Sequence, residues 1–351
     1  GDRRGVEQAA HVIRCRVQVG PAFSDVHIPH DLANDFGVLR GGLADQHDPI
    51  VEDGEVRIGL ALGGGGLTGT AFHAGVITAL AEHFDARQAE VIVGTSAGST
   101  AAALMRAGFP PTDYVARVCG RPLSAEGRAV LGSMPALAEP GQGPARRRGP
   151  GSPDLLRQVA RRPWRFPLGV GVSAALPRGT RAMEGVDRFR VLFDKWPVQD
   201  TWIIAVDLTT GQRVVFGRDL RPSMADAVAA SCAVPGYYAP VTIDGRAYVD
   251  GGAWSMVSLD LLADCDLDLV IVSAPLSTTD WVARDPGNAA RVPLRLQLQR
   301  ERRKIPGRVL VVAPDARMRA VMGTNSMSAA RRAPVAVAAQ EYVASLFRGE
   351  L

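Results

Sequence analysis

Val91-Ile92-Val93-Gly94-Thr95-Ser96-Ala97-Gly98 runs without a break into Ser99-Thr100-Ala101-Ala102-Ala103-Leu104. An apolar run of strand type is followed by a G-x-S-x-G turn and then by a stretch that reads as a helix, which places Ser96 at a strand-to-helix elbow. Such a turn needs small residues on both sides of the serine, because it pushes Oγ out of the backbone and leaves no room for a neighbouring Cβ. A serine so presented is placed to attack a carbonyl. The plainer reading of Ser96 is a helix-capping serine, a task that Ser99 could also perform.

The preceding stretch has the same plan. Val56-Arg57-Ile58-Gly59-Leu60-Ala61-Leu62 reads as a strand, Gly63 to Gly69 as a loop, and residues 70–84 carry apolar side chains at helical spacing. Two strand-loop-helix units in succession predict an α/β fold with parallel strands and helices packed across them. Consecutive glycines at Gly63, Gly64, Gly65 and Gly66 let backbone N–H groups converge, and the helix N-terminus behind them adds partial positive charge, so the loop suits an anion. That anion is either a phosphate or a tetrahedral oxyanion. Gly64, Gly66 and Gly69 also satisfy G-x-G-x-x-G, with Asp85 or Glu90 about twenty residues on, so a dinucleotide-binding or regulatory site is the rival reading. The Walker pattern fails, because Thr70 stands where a lysine should follow Gly69.

Further along the chain, residues 202–206 and 213–216 read as strands, and 223–232 as a helix. Val241-Thr242-Ile243, Asp244-Gly245 and Arg246-Ala247-Tyr248-Val249 form a hairpin signal whose second strand delivers Asp250-Gly251-Gly252. Residues 267–273 and 309–313 read as buried strands, 292–304 as an Arg-rich helix and 327–347 as a closing helix. A nucleophilic serine needs a base, yet all six histidines, His11, His27, His30, His47, His73 and His83, precede Ser96. An α/β-hydrolase triad runs Ser, acid, His, so that arrangement is excluded and a carboxylate must serve. Among the later acids Asp250 is the best candidate, since its glycine neighbours permit close backbone approach; the alternative is an ordinary Asp-Gly turn residue. His73 reads as a packed or hydrogen-bonded helix residue.

At 351 residues, 46% hydrophobic and 22% charged, the chain has the make-up of an ordinary globular protein with a sizeable core. A net charge of +4 is small for this length and calls for no nucleic-acid partner. No stretch is long and apolar enough to span a membrane and no apolar signal core follows the first residues, so a cytoplasmic location is expected. Cys15, Cys119, Cys232 and Cys265 are far apart and read as buried reduced thiols, with neither a metal site nor a disulfide framework suggested. No cofactor is implied. Residues 1–54 read as an irregular extension with a strand at 12–19, and 55–351 as the main domain. Within it, 110–185 is a Pro/Gly/Arg-rich insertion, with a flexible loop expected at 139–153. Arg146, Arg147, Arg148, Arg157, Arg161, Arg162 and Arg165 crowd this insertion beside Trp164 and Phe166. Such a composition suits an anionic lipid surface; its plainer reading is a solvated loop.

With three motifs in place, the chain resembles the patatin-like phospholipase family. The resemblance rests on Gly63 to Gly69, on Gly94 to Gly98 and on Asp250-Gly251-Gly252, and Ala230-Ser231-Cys232-Ala233-Val234-Pro235-Gly236 is similar to a segment the family carries before its aspartate. It covers about residues 56–253 and, more loosely, the rest to the C-terminus. It implies a three-layer α/β/α fold with a mostly parallel central sheet and a Ser-Asp dyad acting on acyl esters such as phospholipids or lysophospholipids. On that pattern Ser96 is the nucleophile, Asp250 the general base and Gly64, Gly65 and Gly66 the oxyanion donors, with no metal. An acyltransferase on the same scaffold would look alike. One departure is Thr68, where the family often has Arg or Lys, which predicts retained activity with an altered charge preference. The insertion at 110–185 is expected to be a lid or a membrane contact.

Overall fold

A computed structural model describes residues 56–132, 149–183, 188–279 and 291–348. The extension at 1–54, with its expected strand, lies outside them. The strands are β1 (Ile58–Leu62), β2 (Val91–Thr95), β3 (Asp200–Asp207), β4 (Arg213–Phe216), β5 (Val241–Ile243), β6 (Arg246–Asp250), β7 (Leu269–Ser273) and β8 (Arg308–Val312). The helices are α1 (Gly66–Leu80), α2 (Ala97–Arg106), α3 (Tyr114–Val118), α4 (Ala125–Leu131), α5 (Pro153–Arg161), α6 (Leu168–Ala175), α7 (Arg188–Leu192), α8 (Met224–Ser231), α9 (Val292–Arg302), α10 (Ala316–Met322) and α11 (Arg332–Phe347).

All the strands join one 8-stranded sheet, whose hydrogen-bonded neighbours run β5-β6-β3-β2-β1-β7-β8 with β4 added to β3. The run from β3 through β2, β1 and β7 to β8 is parallel, whereas β4 and β6 meet β3 antiparallel and β5 closes a hairpin on β6. The fold is thus mixed α/β with a mostly parallel sheet between helical layers. Ile58, Leu60 and Leu62 of β1, Ile92 of β2 and Ile203 of β3 face one apolar cluster with Phe72 and Ile77 of α1, Leu104 of α2 and Val335 of α11. The alternate residues Ala61, Val91, Val93, Trp202 and Ile204 face a second cluster with Leu259, Leu262 and Leu298 of α9. Burial on both faces explains why these strands read as unbroken apolar runs. Gly75 is the point where α1 and α11 touch: a Cβ there would come within 2.5 Å of Ala339 Cβ.

The register around β3 sets up the site. Ile203 and Ile204 pair with Gly94 and Thr95 of β2 on one edge and with Phe216 and Val215 of β4 on the other. Ala205 and Val206 still pair with β4 and also with Asp250 and Val249 of β6, so β6 must continue along the edge that β2 vacates. Thr95 lies opposite Ile204 and Asp250 opposite Ala205, which brings the end of β6 against the end of β2.

The expected hairpin forms, with Asp244 and Gly245 at φ of 47° and 76°. Where it is described, the insertion at 110–185 is largely helical, with α3 to α6 in place. Ser124 caps α4 by accepting from Gly127 N–H, and Ser152 caps α5 by accepting from Leu155 N–H, with Pro153 at the first helical position. Most of the flexible loop expected at 139–153 lies outside the described residues.

Candidate active site

Ser96 has φ 52° and ψ −116°, a conformation that a side chain adopts only when its surroundings impose it. The neighbours do so by proximity: a Cβ on Gly98 would lie 2.0 Å from the Leu62 carbonyl oxygen, and one on Gly94 would lie 2.7 Å from Ser99 Cα. Three side chains then grip the elbow's backbone. Ser231 Oγ accepts from Ser96 N–H at 2.9 Å, while Ser99 Oγ and Cys232 Sγ donate to the Ser96 carbonyl at 2.6 and 3.2 Å. The segment 230–236 therefore holds the elbow on one side, and on the other it receives Asp250 N–H at the Ala233 carbonyl, 3.0 Å away.

Asp250 ends β6, buried like Ser96. Its Oδ1 accepts Gly252 N–H at 2.7 Å. That bond and the nearby Ser96 side chain favour the anion, but burial outweighs them and pushes the carboxyl up to about 6. Gly251 is required by contact, since its Cβ would fall 2.4 Å from the Ile204 carbonyl oxygen.

The glycine loop follows β1, at the switch point where the parallel strands to either side are reached in opposite directions. Gly63 N–H donates to Ser273 O at 2.9 Å and Gly64 N–H to Met256 O at 2.8 Å. Gly98 N–H and His73 both bond the Gly63 carbonyl, at 3.2 and 2.7 Å. A carbonyl only accepts, so His73 Nε2 carries the proton and Nδ1 accepts from Ser273 Oγ at 2.8 Å. Burial holds this imidazole down to about 4, neutral at pH 7. No hydrogen bond to another described residue occupies Gly65 or Gly66 N–H, and Gly66, at φ 60°, opens α1. Of the three glycines expected as donors, Gly64 has its N–H engaged, although its Cα stands so near the serine that a Cβ would lie 3.4 Å from Ser96 Cβ.

Met256 ties the two loops together. Its carbonyl holds Gly64, and its thioether lies 3.2 Å from where a Gly64 Cβ would be and 3.0 Å from that of Gly252. Behind it, Glu301 of α9 accepts from Ser255 Oγ at 2.6 Å and from Leu259 N–H at 2.9 Å, and burial lifts its carboxyl to about 7 against those two bonds. Thr68, at the position of the missing cation, is buried and gives its N–H to the Ser326 carbonyl at 3.0 Å. Asp85, one of the two acids offered to a ribose in the rival reading, is bound by Arg87 through both carboxylate oxygens at 2.7 to 3.0 Å. Among the described residues no group of His, Cys, Asp and Glu side chains converges to hold a metal ion, and no helix is long and apolar enough to cross a membrane. Cys119, Cys232 and Cys265 are free thiols, half-buried rather than fully buried.

A family model described as patatin-like phospholipase matches residues 60–263, from β1 past the Asp250 turn. The chain belongs to the patatin-like phospholipase family. Uncharacterized NTE family proteins of Mycobacterium bovis and Mycobacterium tuberculosis are each 26% identical over 282 residues, covering 77% of this patatin-like chain and 38% of their own length. The chain thus spans well under half of the curated relatives it matches. Among solved structures, VipD from Legionella pneumophila superposes with a TM-score of 0.40 at 13% identity, over 84% of this chain and 67% of VipD. The type III effector ExoU gives 0.34 at 17% identity, over 84% of this chain and 53% of its own.

Several residues of the patatin-like site have no sequence signal of their own. Ser231 and Cys232 fall in the segment noted for its similarity, but their grip on Ser96 depends on strand register. Met256 and Glu301 sit in no motif.

Proposed function

We propose that this chain is a serine lipid acyl hydrolase of phospholipase A or lysophospholipase type, with Ser96 as nucleophile and Asp250 as general base. The observation that carries the reading is the juxtaposition of Ser96 and Asp250, both buried at strand ends set against neighbouring residues of β3, in a turn of imposed geometry with Gly64 of the glycine loop in contact range of the serine. An ester carbonyl enters over Ser96 Oγ. The Oγ proton moves to Asp250 as the O–C bond forms, and the carbonyl oxygen gathers charge where Gly65 and Gly66 N–H and the start of α1 favour an anion. Asp250 then protonates the leaving alkoxide as the ester C–O bond breaks. In the second half a water gives its proton to Asp250 and its oxygen to the acyl-serine; the tetrahedral species collapses to the fatty acid as Ser96 Oγ recovers the proton. A carboxyl lifted to about 6 is a far better base than one at its ordinary value, yet it remains ionised at pH 7. We take 55–351 as the unit that does this work, with 110–185 as its cover.

A fluorophosphonate probe should label the protein on Ser96, and hydrolysis of a p-nitrophenyl acyl ester should vanish in Ser96→Ala and in Asp250→Asn. Normal turnover in either soluble variant would overturn the dyad. A product analysis with an added alcohol separates hydrolysis from acyl transfer, which uses the same residues.

A further inference from the structure

The helical pair α5–α6 is apolar on two sides. Its inner side sends Leu155, Val170 and Ala174 into a cluster with Val206, Val249 and Ala253. Its outer side presents Trp164, in the turn Pro163–Arg165, then Leu168 and Val172 of α6, 82%, 86% and 47% exposed. Leu168 and Val172, four residues apart, share the outer side of α6, and Trp164 is exposed in the turn that leads into it. Exposed single apolar residues are ordinary, but a tryptophan and two aliphatic side chains exposed within nine residues are a patch. Around it stand Arg157, Arg161, Arg162 and Arg165, all exposed. Between residues 153 and 175 one carboxylate, Asp154, opposes these four cations, and it pairs with Arg157 at 2.7 Å.

We propose that this face docks on an anionic lipid bilayer. The patch supplies apolar area and an indole suited to the headgroup boundary, and the arginines supply attraction to lipid phosphates while their stems lie along apolar surface. An acidic protein or a nucleic acid would satisfy the arginines but would leave Leu168 and Val172 unmatched. The position is as telling as the composition. α6 rests directly on the Asp250 turn, so closely that a Cβ on Gly169 would lie 2.5 Å from the Ala253 carbonyl oxygen. A bilayer on the outer side of α6 is therefore one helix diameter, about 10 Å, from that turn. The inference rests on the lipid-hydrolase reading for its purpose, not for its physics.

The test uses the full chain carrying Ser96→Ala, sedimented with vesicles of phosphatidylcholine alone or mixed with phosphatidylglycerol. Binding is expected to the mixed vesicles, to weaken with salt, and to fall at least tenfold in Trp164→Ala/Leu168→Ala. A triple change of Arg161, Arg162 and Arg165 to Gln should weaken it about a hundredfold, at roughly fivefold per cation. Each set of changes in the Ser96-intact protein should leave turnover of a water-soluble short-chain ester unchanged, which reports that the fold survives. Equal binding of all variants to mixed vesicles overturns the proposal. So does binding to heparin that survives Trp164→Ala/Leu168→Ala while vesicles are ignored, since the face would then be a polyanion site. Vesicle binding without any ester turnover in the unmodified chain would instead sink the proposed chemistry and leave the docking face standing.

Discussion

Around Ser96 the backbone is gripped from every side, while the outer face of α5–α6, one contact away, is left open. Ser231, Ser99, Cys232, His73 and Met256 each hold a named atom of the elbow or the glycine loop. The outward side chains Trp164 and Leu168 are held by almost nothing. The contrast separates two tasks. A reacting group must be fixed to a fraction of an ångström, and fixing it uses up hydrogen bonds. A surface that meets a changing partner needs composition and exposure more than geometry.

The largest test of this contrast is at the dyad itself. Ser96→Ala and Asp250→Asn should each lower kcat/KM by about 10⁴-fold or more, while substitutions on the outer face of α6 leave soluble-ester turnover alone. Asp250→Asn carries a second signature. The carboxyl is raised from 3.8 to about 6 in the folded state, so it is tolerated without cost below pH 3.8, and stability is lost as pH rises through 6. Above pH 6 the buried anion costs up to about 3 kcal/mol. Asparagine avoids that cost, so thermal melting should place the variant above the parent at pH 8, with the gap closing toward pH 4. A lower melting point at pH 8 would show that the carboxylate is better satisfied than its burial implies.

Next in size is the pH profile of the unmodified chain. With Asp250 as base, kcat/KM on a neutral ester should fall about tenfold per pH unit below 6, a loss near a hundredfold by pH 4. A flat profile through that range would remove Asp250 from the base role.

Glycine substitutions then compare the two regions directly. Gly98→Ala puts a methyl group 2.0 Å from a backbone oxygen that is locked in β1, and should cost about 3 kcal/mol or more in denaturant unfolding. Gly171→Ala, in α6, meets only Val159 Cγ1 at 3.3 Å and gains helix propensity, so its effect should stay within about 1 kcal/mol. Similar costs at both positions would mean that the outer helices are as tightly fitted as the elbow.

The smallest expected effect is Glu301→Gln. The amide keeps one acceptor for Leu259 N–H but turns its NH₂ toward Ser255 Oγ, which already accepts from Val257 and Ser258 N–H at 3.3 and 2.9 Å, so one of the two Glu301 bonds is lost. Turnover should fall less than tenfold through kcat, and any ionisation near pH 7 should leave the rate profile. An unchanged profile would detach Glu301 from the Met256 loop.

Much of the site could be read before the fold was known, and the reason is locality. The elbow, the glycine loop and the Asp-Gly hairpin each declare themselves within a few residues, because a strained turn restricts the residue types that can form it. The order of the histidines along the chain excluded a triad, and the glycines beside Asp250 singled it out among the later acids. What could not be read depends on register. Nothing near Ser231 in sequence says that its hydroxyl faces Ser96 N–H, and nothing near Met256 says that its carbonyl meets Gly64. The helices between 111 and 175 were hidden for another reason. Each is five to nine residues long where it is α-helical, too short to show a 3.6-residue period, and Pro and Gly between them read as loop. The closing helix begins at Arg332 rather than 327, because a 3-10 turn at Ala329–Arg331 precedes it.

The shared edge of β3 has a consequence for how such a chain can change. Thr95 and Asp250 are laid against successive residues of one strand, so their offset along it is a single residue step of about 3.3 Å, read off β3 as off a ruler. The length of chain between them does not enter. Stretches between α2 and β3 that touch neither the elbow nor the Asp250 turn are free to be lengthened or trimmed over generations or at the bench, and the serine and the aspartate will still arrive side by side, whereas residues 230–236, which hold both, are not.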